Sequence, residues 1–534
     1  MDNATLMKLL AIGLYVAILL GIGVAASRKV TDIRDYFASG KRLGFFNVAF
    51  SARATGESAW LLLGLTGMGY AVGVKAFWVV LGEMIGVGGA WLFMAHRFKR
   101  LTDRYDSITV PDYLESRLRD SGHGLRLIAA GALIVFVPIY AGAQVFATGN
   151  AFHDFFGWNH YLGAAAGFAV VMLYITQGGF TAVVWSDVFQ GSLMVIGLVA
   201  LPIVALNFGG GLEAITNGLR AIDPDLLTWH GPGKGDPGSG GWSFATITSI
   251  LGLAAIGIGF WGSPQVFVRY ISMKNTGQIL PGTITALIWT LLADSGAVLV
   301  GIFGRAIYTP AVLDNSAANV ISYSAADIER VSENVLPFMS LDLLPAFLAG
   351  GFIAMVLSAI MSTIDSLLVV ASSAGVRDYW QKTRNPNMSD KRLIALSRRV
   401  TLGLSLVSFG VGIGIMLYDK DNGVFWAIMF GWSGIAATFC PTMILSLYWS
   451  GLTARGAKCA MIAGFLAVPF FKFAAPVLLS SIGLDYWVAR LADLDVLLPS
   501  FVIGFLVAII VSAMDKEGRA RLAGIEEELQ AARS

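Results

Sequence analysis

Charge is what this sequence most lacks. Only 13% of its 534 residues are Asp, Glu, Lys or Arg, where a soluble domain carries about 25%. That shortage, with 56% hydrophobic residues and a mean hydropathy of +0.69, excludes a large soluble core. It predicts an all-α polytopic membrane protein. Cysteine is almost absent: Cys440 and Cys459 make no disulfide framework and read as small apolar fillers. The five histidines, His96, His123, His153, His160 and His230, fall in predicted loops or at segment ends without metal spacing. With no nucleophile constellation either, an intramembrane enzyme has little support. A net charge of +2 gives no case for nucleic acid as a partner.

Long apolar runs are what the chain does contain. Thirteen are long enough to cross about 30 Å of hydrocarbon as helix, near residues 6–26, 44–72, 75–96, 125–150, 160–178, 181–207, 243–271, 280–306, 337–372, 396–418, 423–449, 454–479 and 496–514. The first is too long for a signal-peptide core and reads as a retained helix. Basic residues gather in odd-numbered connections, with Arg28, Lys29, Arg34, Lys41 and Arg42 in the first, Arg97, Lys99, Arg100, Arg104, Arg117 and Arg119 in the third, and Arg377, Lys382, Arg384, Lys391 and Arg392 in the ninth. The sixth connection holds only Arg220 and Lys234, and the eighth only Arg330. By the positive-inside rule the N-terminus is expected outside and the C-terminus in the cytoplasm of a cell-membrane protein. Val110 to Leu118 is expected as a short helix lying at the interface or in a solvated loop. The tail, 515–534, is charged and helix-prone.

Ionisable residues within apolar runs are costly and usually functional. Ser51 to Gly67, SARATGESAWLLLGLTG, places Arg53 and Glu57 four apart on one helix face, where they can pair. Glu83 either receives a solute hydroxyl or amine or joins Arg53, and Asp294 stands without a motif. Ala359 to Ser373, AIMSTIDSLLVVASS, puts Ser362, Thr363, Asp365 and Ser366 within little more than one turn. Single hydroxyls usually bond back to their own helix; so many oxygens together suit a hard monovalent cation. In YITQGGFTAVVWSDVFQ the pair Gly178-Gly179 precedes Asp187, which reads either as a helix-packing group or as part of a site. Gly257 to Pro264, GIGFWGSP, is a poor continuous helix, and such interruptions are tolerated where backbone lines a cavity. The interrupted second and seventh runs are five apart, the pattern of two five-helix inverted repeats.

Five ordered stretches, Ser51 to Gly67, TAVVWSDVFQGSLM around Asp187, GFWGSPQVFVRY from Gly259, Ala359 to Ser373 and SLYWSGLTARGAKCAMIAG from Ser446, resemble the sodium/solute symporter family, most closely its sodium/proline branch. The resemblance spans segments 2 to 12. It implies a leucine-transporter-type 5+5 inverted repeat with a discontinuous first helix in each half. The corresponding division is 1–43, a peripheral helix and loop; 44–207 and 243–449, the repeats; 208–242, an external loop; 450–514, peripheral helices; and 515–534, the tail.

Carried over by position, the resemblance assigns a sodium ion to the carbonyls of Ala54, Glu57 and Ala359 and the hydroxyls of Ser362 and Thr363. Where relatives bind a second sodium, the matching positions are Asp187, Ser362, Asp365 and Ser366. The solute cavity would adjoin Ser58, Ala59, Tyr140, Phe260 and Trp261. The proline-transporting relatives have aspartate where this chain has Gly56 and tryptophan where it has Ile256, while Arg53 and Glu57 replace small or apolar residues. Na+-coupled import of a small organic solute is therefore expected, with proline itself left open. Proton coupling through Glu57, Asp187 or Asp365, and a solute sensor without transport, are the alternatives; a monomer in the bilayer is plausible.

Overall fold

A chain in lipid must satisfy its backbone polar groups internally, and uninterrupted apolar composition therefore folds as helix. The computed structural model describes residues 2–175, 179–232, 241–314, 332–418 and 424–533; Gly178, Lys234 and Arg330 lie outside them. Among the described residues there is no β-strand, and an isolated bridge joins Leu43 to Met273.

Among the described residues, eleven helical stretches are long and apolar enough to cross a membrane. The outermost in sequence is α1 (Asn3–Ser27). One stretch, Phe45–Arg104, contains both the second and third expected runs: α2 (Phe45–Ala59) and the helix Thr66–Val72, then α3 (Phe77–Gly89) beyond a turn at Gly73, φ +61. Then come α4 (Gly124–Phe156), the shorter α5 (His160–Ile175) and α6 (Gly179–Phe208). The second half holds α7 (Phe244–Ala255), α8 (Pro264–Ile271), α9 (Ile279–Asp314), α10 (Ala346–Ser373), α11 (Asp390–Tyr418), α12 (Val424–Tyr448), α13 (Ala454–Pro469) and α14 (Leu497–Met514).

Both expected interruptions are present. In α2, Ser58 takes φ +52 and ψ −166, a conformation that costs a non-glycine residue about 1–3 kcal/mol. A wide turn over Trp60–Leu65 then leads back into helix. After α7, a tight turn over Ile256–Trp261 gives way at Gly262, and Pro264 opens α8, the first-turn position where a missing N–H does no harm.

One expected run is corrected. The run placed at 337–372 is two helices, Val335–Leu343 and α10, because Leu344 is extended (φ −117, ψ 147) as the residue before Pro345 is forced to be. The Val110–Leu118 helix forms, capped by Thr109 accepting the Asp112 N–H at 3.0 Å. Seven of its nine residues are buried against the rest of the protein. Arg117 is fully buried and donates to the carbonyls of Ser446 (2.8 Å) and Trp449 (3.2 Å). The tail folds back as well, with Glu528 meeting Tyr105, Arg104 and Arg119.

α10 is buried all round, which explains its lack of a polar face; it packs on α1, α2, α4 and α6. α2 packs on α6, α9 and α10, so its break lies at the centre. α3 touches the break after α7 through bare backbone: a Cβ on Gly82, Gly86 or Gly257 would overlap the facing main chain.

Candidate ion and solute site

The last turn of α2 before Ser58 meets the middle of α10. Ser362 Oγ donates to the Ala54 carbonyl at 2.9 Å, and its other contact is the Ala359 carbonyl at 3.1 Å. Thr363 Oγ1 lies 3.1 Å from both the Thr55 and the Ala359 carbonyls. All five residues are at most 1% exposed. Four of the five residues expected around sodium thus converge. Glu57 follows Ala54 by three residues, and its carbonyl accepts the Trp60 N–H. Thr55 is an addition that the sequence patterns did not single out. Hydroxyls and carbonyls at a helix break form an oxygen-only set, the arrangement that holds an alkali cation in broken-helix transporters.

The second set of oxygens is already engaged by an arginine. Arg269, on α8, is fully buried and donates to Asp187 Oδ2 (2.8 Å), Ser366 Oγ (2.7 Å), Ser51 Oγ (2.7 Å) and Thr55 Oγ1. Ser51 Oγ in turn lies 2.5 Å from Asp187 Oδ2, while Asp187 Oδ1 has no hydrogen-bond partner. Asp365 adjoins this cluster, its Oδ1 3.3 Å from Ser366 Oγ. Arg269 was overlooked in sequence. Its signal is a formal charge five residues after Pro264, inside the apolar run 243–271.

Of the positions expected to adjoin a solute, Ser58, Ala59, Tyr140 and Phe260 are each at most 2% exposed. Tyr140, beside Ser58, makes no well-formed hydrogen bond through its hydroxyl. Trp432 links the two aromatic positions, its ring 6.5 Å from Tyr140 and 5.2 Å from Phe260, and its indole N–H donates to the Ile256 carbonyl freed by the second break (3.1 Å). Gln144, one turn beyond Tyr140 on α4, accepts the Ala59 N–H at 3.1 Å and so satisfies a donor that the first break exposes. Neither Trp432 nor Gln144 was singled out in sequence. Trp261 points away: its N–H bonds to Gly86 O at 3.0 Å, and its ring lines an apolar cavity of about 760 Å³ with Met84, Leu287 and Tyr448.

Arg53 and Glu57 pair as their spacing implies, but not alone. Arg53 also lies 3.3 Å from Glu83 Oε2 and 3.8 Å from Asp294 Oδ2. Its guanidinium is held over the rings of Phe260 (4.7 Å) and Trp289 (5.4 Å). Of the two roles open to Glu83, the structure displays the contact with Arg53, and Asp294 belongs to the same group.

Broken helices, an oxygen-lined crossing and a buried aromatic cluster are the parts of a secondary transporter rather than of an enzyme. A sequence profile of the Sodium:solute symporter family matches residues 36–464, and the chain belongs to that family; it is a sodium-coupled solute symporter. The osmoregulated proline transporter OpuE of Bacillus subtilis is 30% identical over 525 residues, covering 98% of both chains. The high-affinity proline transporter PutP of the same organism is 31% identical, covering 84% of this chain and 89% of that one. The sodium/proline symporter of Escherichia coli is 30% identical, covering 86% of each. Among solved structures, a Na+-coupled sialic acid symporter in a substrate-bound outward-open state superposes with a TM-score of 0.74 at 18% identity, covering 95% of this chain and 97% of that one. That likeness establishes the shared fold.

Proposed function

We propose that this symporter imports proline or a closely related small amino acid across the cell membrane, driven by sodium bound at Ala54, Glu57, Ala359, Ser362 and Thr363. The observation that carries the reading is the reach of Ser362 and Thr363 from α10 to the carbonyls of the broken helix at 2.9 and 3.1 Å. Sodium there fixes α2 against α10 and shapes the chamber beside Ser58, Ala59, Tyr140 and Phe260. Tighter solute binding with sodium requires tighter sodium binding with solute. The full burial of these four residues supports alternating access, in which two helix groups rock to open the site to one side and then the other. Proline comes from the names of the relatives. Gly56 marks a limit to that transfer, because a Cβ there would lie 2.6 Å from the Phe260 ring, leaving no room for the aspartate of the proline branch while Phe260 holds its place.

Thirteen crossings, ten of them in two inverted five-helix repeats and three peripheral, and the N-terminus outside complete the proposal. The eleven apolar stretches support the count when Phe45–Arg104 is taken as two crossings and His160–Leu173 as a short one. A second sodium at Asp187, Ser362, Asp365 and Ser366 is supported by Asp187 Oδ1, which has no hydrogen-bond partner, and is opposed by Arg269. The deciding experiment is uptake of radiolabelled proline into proteoliposomes under an imposed sodium gradient. The wild type should accumulate it, and Ser362→Ala with Thr363→Ala should not. Full sodium-dependent uptake by the double variant would refute the ion assignment. Uptake driven by a pH gradient without sodium would point to a proton instead.

A further inference from the structure

Arg392 and Arg399 are seven residues apart on α11, so their side chains leave the same side of the helix about two turns from each other. Both are exposed, and among the described residues neither has an ion pair or a hydrogen bond. Neighbouring arginines are engaged: Arg377 with Asp112 (3.3 Å) and Gln381 (3.2 Å), and Arg398 with Tyr36. The carboxylates on the two flanking elements face elsewhere. Asp378 is fully buried and accepts from Arg126 (2.5 Å) and Thr109 (2.9 Å), while Asp390 accepts the Ile33 N–H at 3.3 Å. The two guanidiniums border a cavity of about 500 Å³ between α11 and Ala374–Arg384, the helical turns that continue α10. Its other walls are apolar, with Trp380, Met388, Leu396 and Val400, and among the described residues its lining includes no acidic side chain. A Cβ on Gly375, in the same wall, would touch Ile134 of α4 at 3.8 Å and Val400 at 3.9 Å. The cavity thus adjoins Ile134, which with Leu402 and Leu406 belongs to the exposed apolar surface that hydrocarbon covers in a membrane protein. Arg399 falls three residues inside the apolar run 396–418, a depth at which a cation without a counter-charge is costly. Trp380, 44% exposed, is the residue type of the boundary between hydrocarbon and headgroups.

We propose that this cavity binds one anionic phospholipid, its phosphate between Arg392 and Arg399 and an acyl chain along Leu396 and Val400. The planar guanidinium fork matches phosphate oxygens two at a time, and basic pockets between membrane helices take anionic headgroups. A soluble phosphate compound would leave the apolar wall uncovered. A zwitterionic lipid would leave the two positive charges without a net counter-charge. The bound lipid ties the end of α10, the helix that carries Ser362 and Thr363, to α11, and so stabilises the folded chain.

The test uses the purified full-length protein in detergent micelles, titrated with phosphatidylglycerol or phosphatidylcholine and read by native mass spectrometry and by melting temperature. Neither sodium nor solute is needed, so the result stands apart from the transport reading. The wild type should retain one phosphatidylglycerol per chain in preference to phosphatidylcholine and melt at a higher temperature with it. A basic residue beside an anionic lipid contributes about fivefold in affinity. Arg392→Gln with Arg399→Gln should therefore bind phosphatidylglycerol about thirtyfold more weakly and lose the shift in melting temperature. Ala395→Trp, which fills the cavity and leaves its charge, should lose the retained lipid too. Arg384→Gln with Lys391→Gln, outside the cavity lining, should behave as the wild type. A double arginine variant that keeps the wild-type preference overturns the proposal. So does an equal loss in the Arg384 and Lys391 variant, since overall positive charge would then hold the lipid. Inorganic phosphate that reproduces the shift would also overturn it. If the double arginine variant does not fold, Ala395→Trp reads the same quantities.

Discussion

Arg269 Nη2 and Asp187 Oδ2 form an ion pair at 2.8 Å with both side chains fully buried. Because Arg269 also bonds to Ser51, Thr55 and Ser366, one guanidinium joins α8, α6, α2 and α10. Its branched, planar set of donors makes this possible, and lysine has no equivalent.

Removing one member of a buried pair leaves an uncompensated charge, which costs about 3–5 kcal/mol. Asp187→Asn and Arg269→Gln should each lower the melting temperature of the purified protein markedly. The double variant should lose less than the sum of the two, since contacting residues are not additive. Single variants that melt with the wild type would show that the pair is not what holds these helices.

The backbone at Ser58, φ +52 and ψ −166, stores strain of about 1–3 kcal/mol. Ser58→Gly removes the strain together with the hydroxyl beside Tyr140. The variant should melt at a higher temperature than the wild type without ligand and gain less stability from proline. A lower melting temperature for Ser58→Gly would contradict the strained conformation.

Outside the membrane-spanning segments, Asp112 on the Val110–Leu118 helix meets Arg126 at 2.6 Å and Arg377 at 3.3 Å. Burial pushes its carboxyl up, but Arg377 and Arg126 outweigh it and hold the group below the ordinary carboxylate value. Glu115 is lowered in the same way, burial being overcome chiefly by Arg126. A depressed value in the folded state means stability that is present above the unfolded value of about 3.9 and lost as pH falls through the folded one. Asp112→Asn should therefore melt below the wild type at neutral pH, with the gap closing under about pH 4. A gap that persists unchanged into acid would rule out the electrostatic origin.

How much of this was legible in sequence depended on whether the signal was local. Arg53 with Glu57 is an i, i+4 pair, and Ser362 with Thr363 is a cluster within one turn; both were visible as spacing. The breaks at Ser58 and Gly262 were marked by glycines and Pro264. Gln144 and Trp432 carried no such mark, because each answers a backbone group exposed on another helix. Arg269 was hidden by its surroundings: one charge among apolar residues looks like the end of a helix until its partners arrive from three other segments. The break at Leu344 and Pro345 was readable from proline chemistry but was absorbed into a long apolar run.

Composition and periodicity determined by themselves that the chain is helical, lies in a bilayer and is interrupted at two places, because hydrocarbon permits few backbone solutions. The resemblance of five short stretches added the expectation that Ala54, Glu57, Ala359, Ser362 and Thr363 supply oxygens to an ion. Only tertiary structure decided how the charges are shared. Arg269 answers Asp187 across α8 and α6, and Arg53 faces Glu57, Glu83 and Asp294 from three helices. Partnership between buried charges depends on ångström-scale distances across helix interfaces, and those are set by packing rather than by position along the chain.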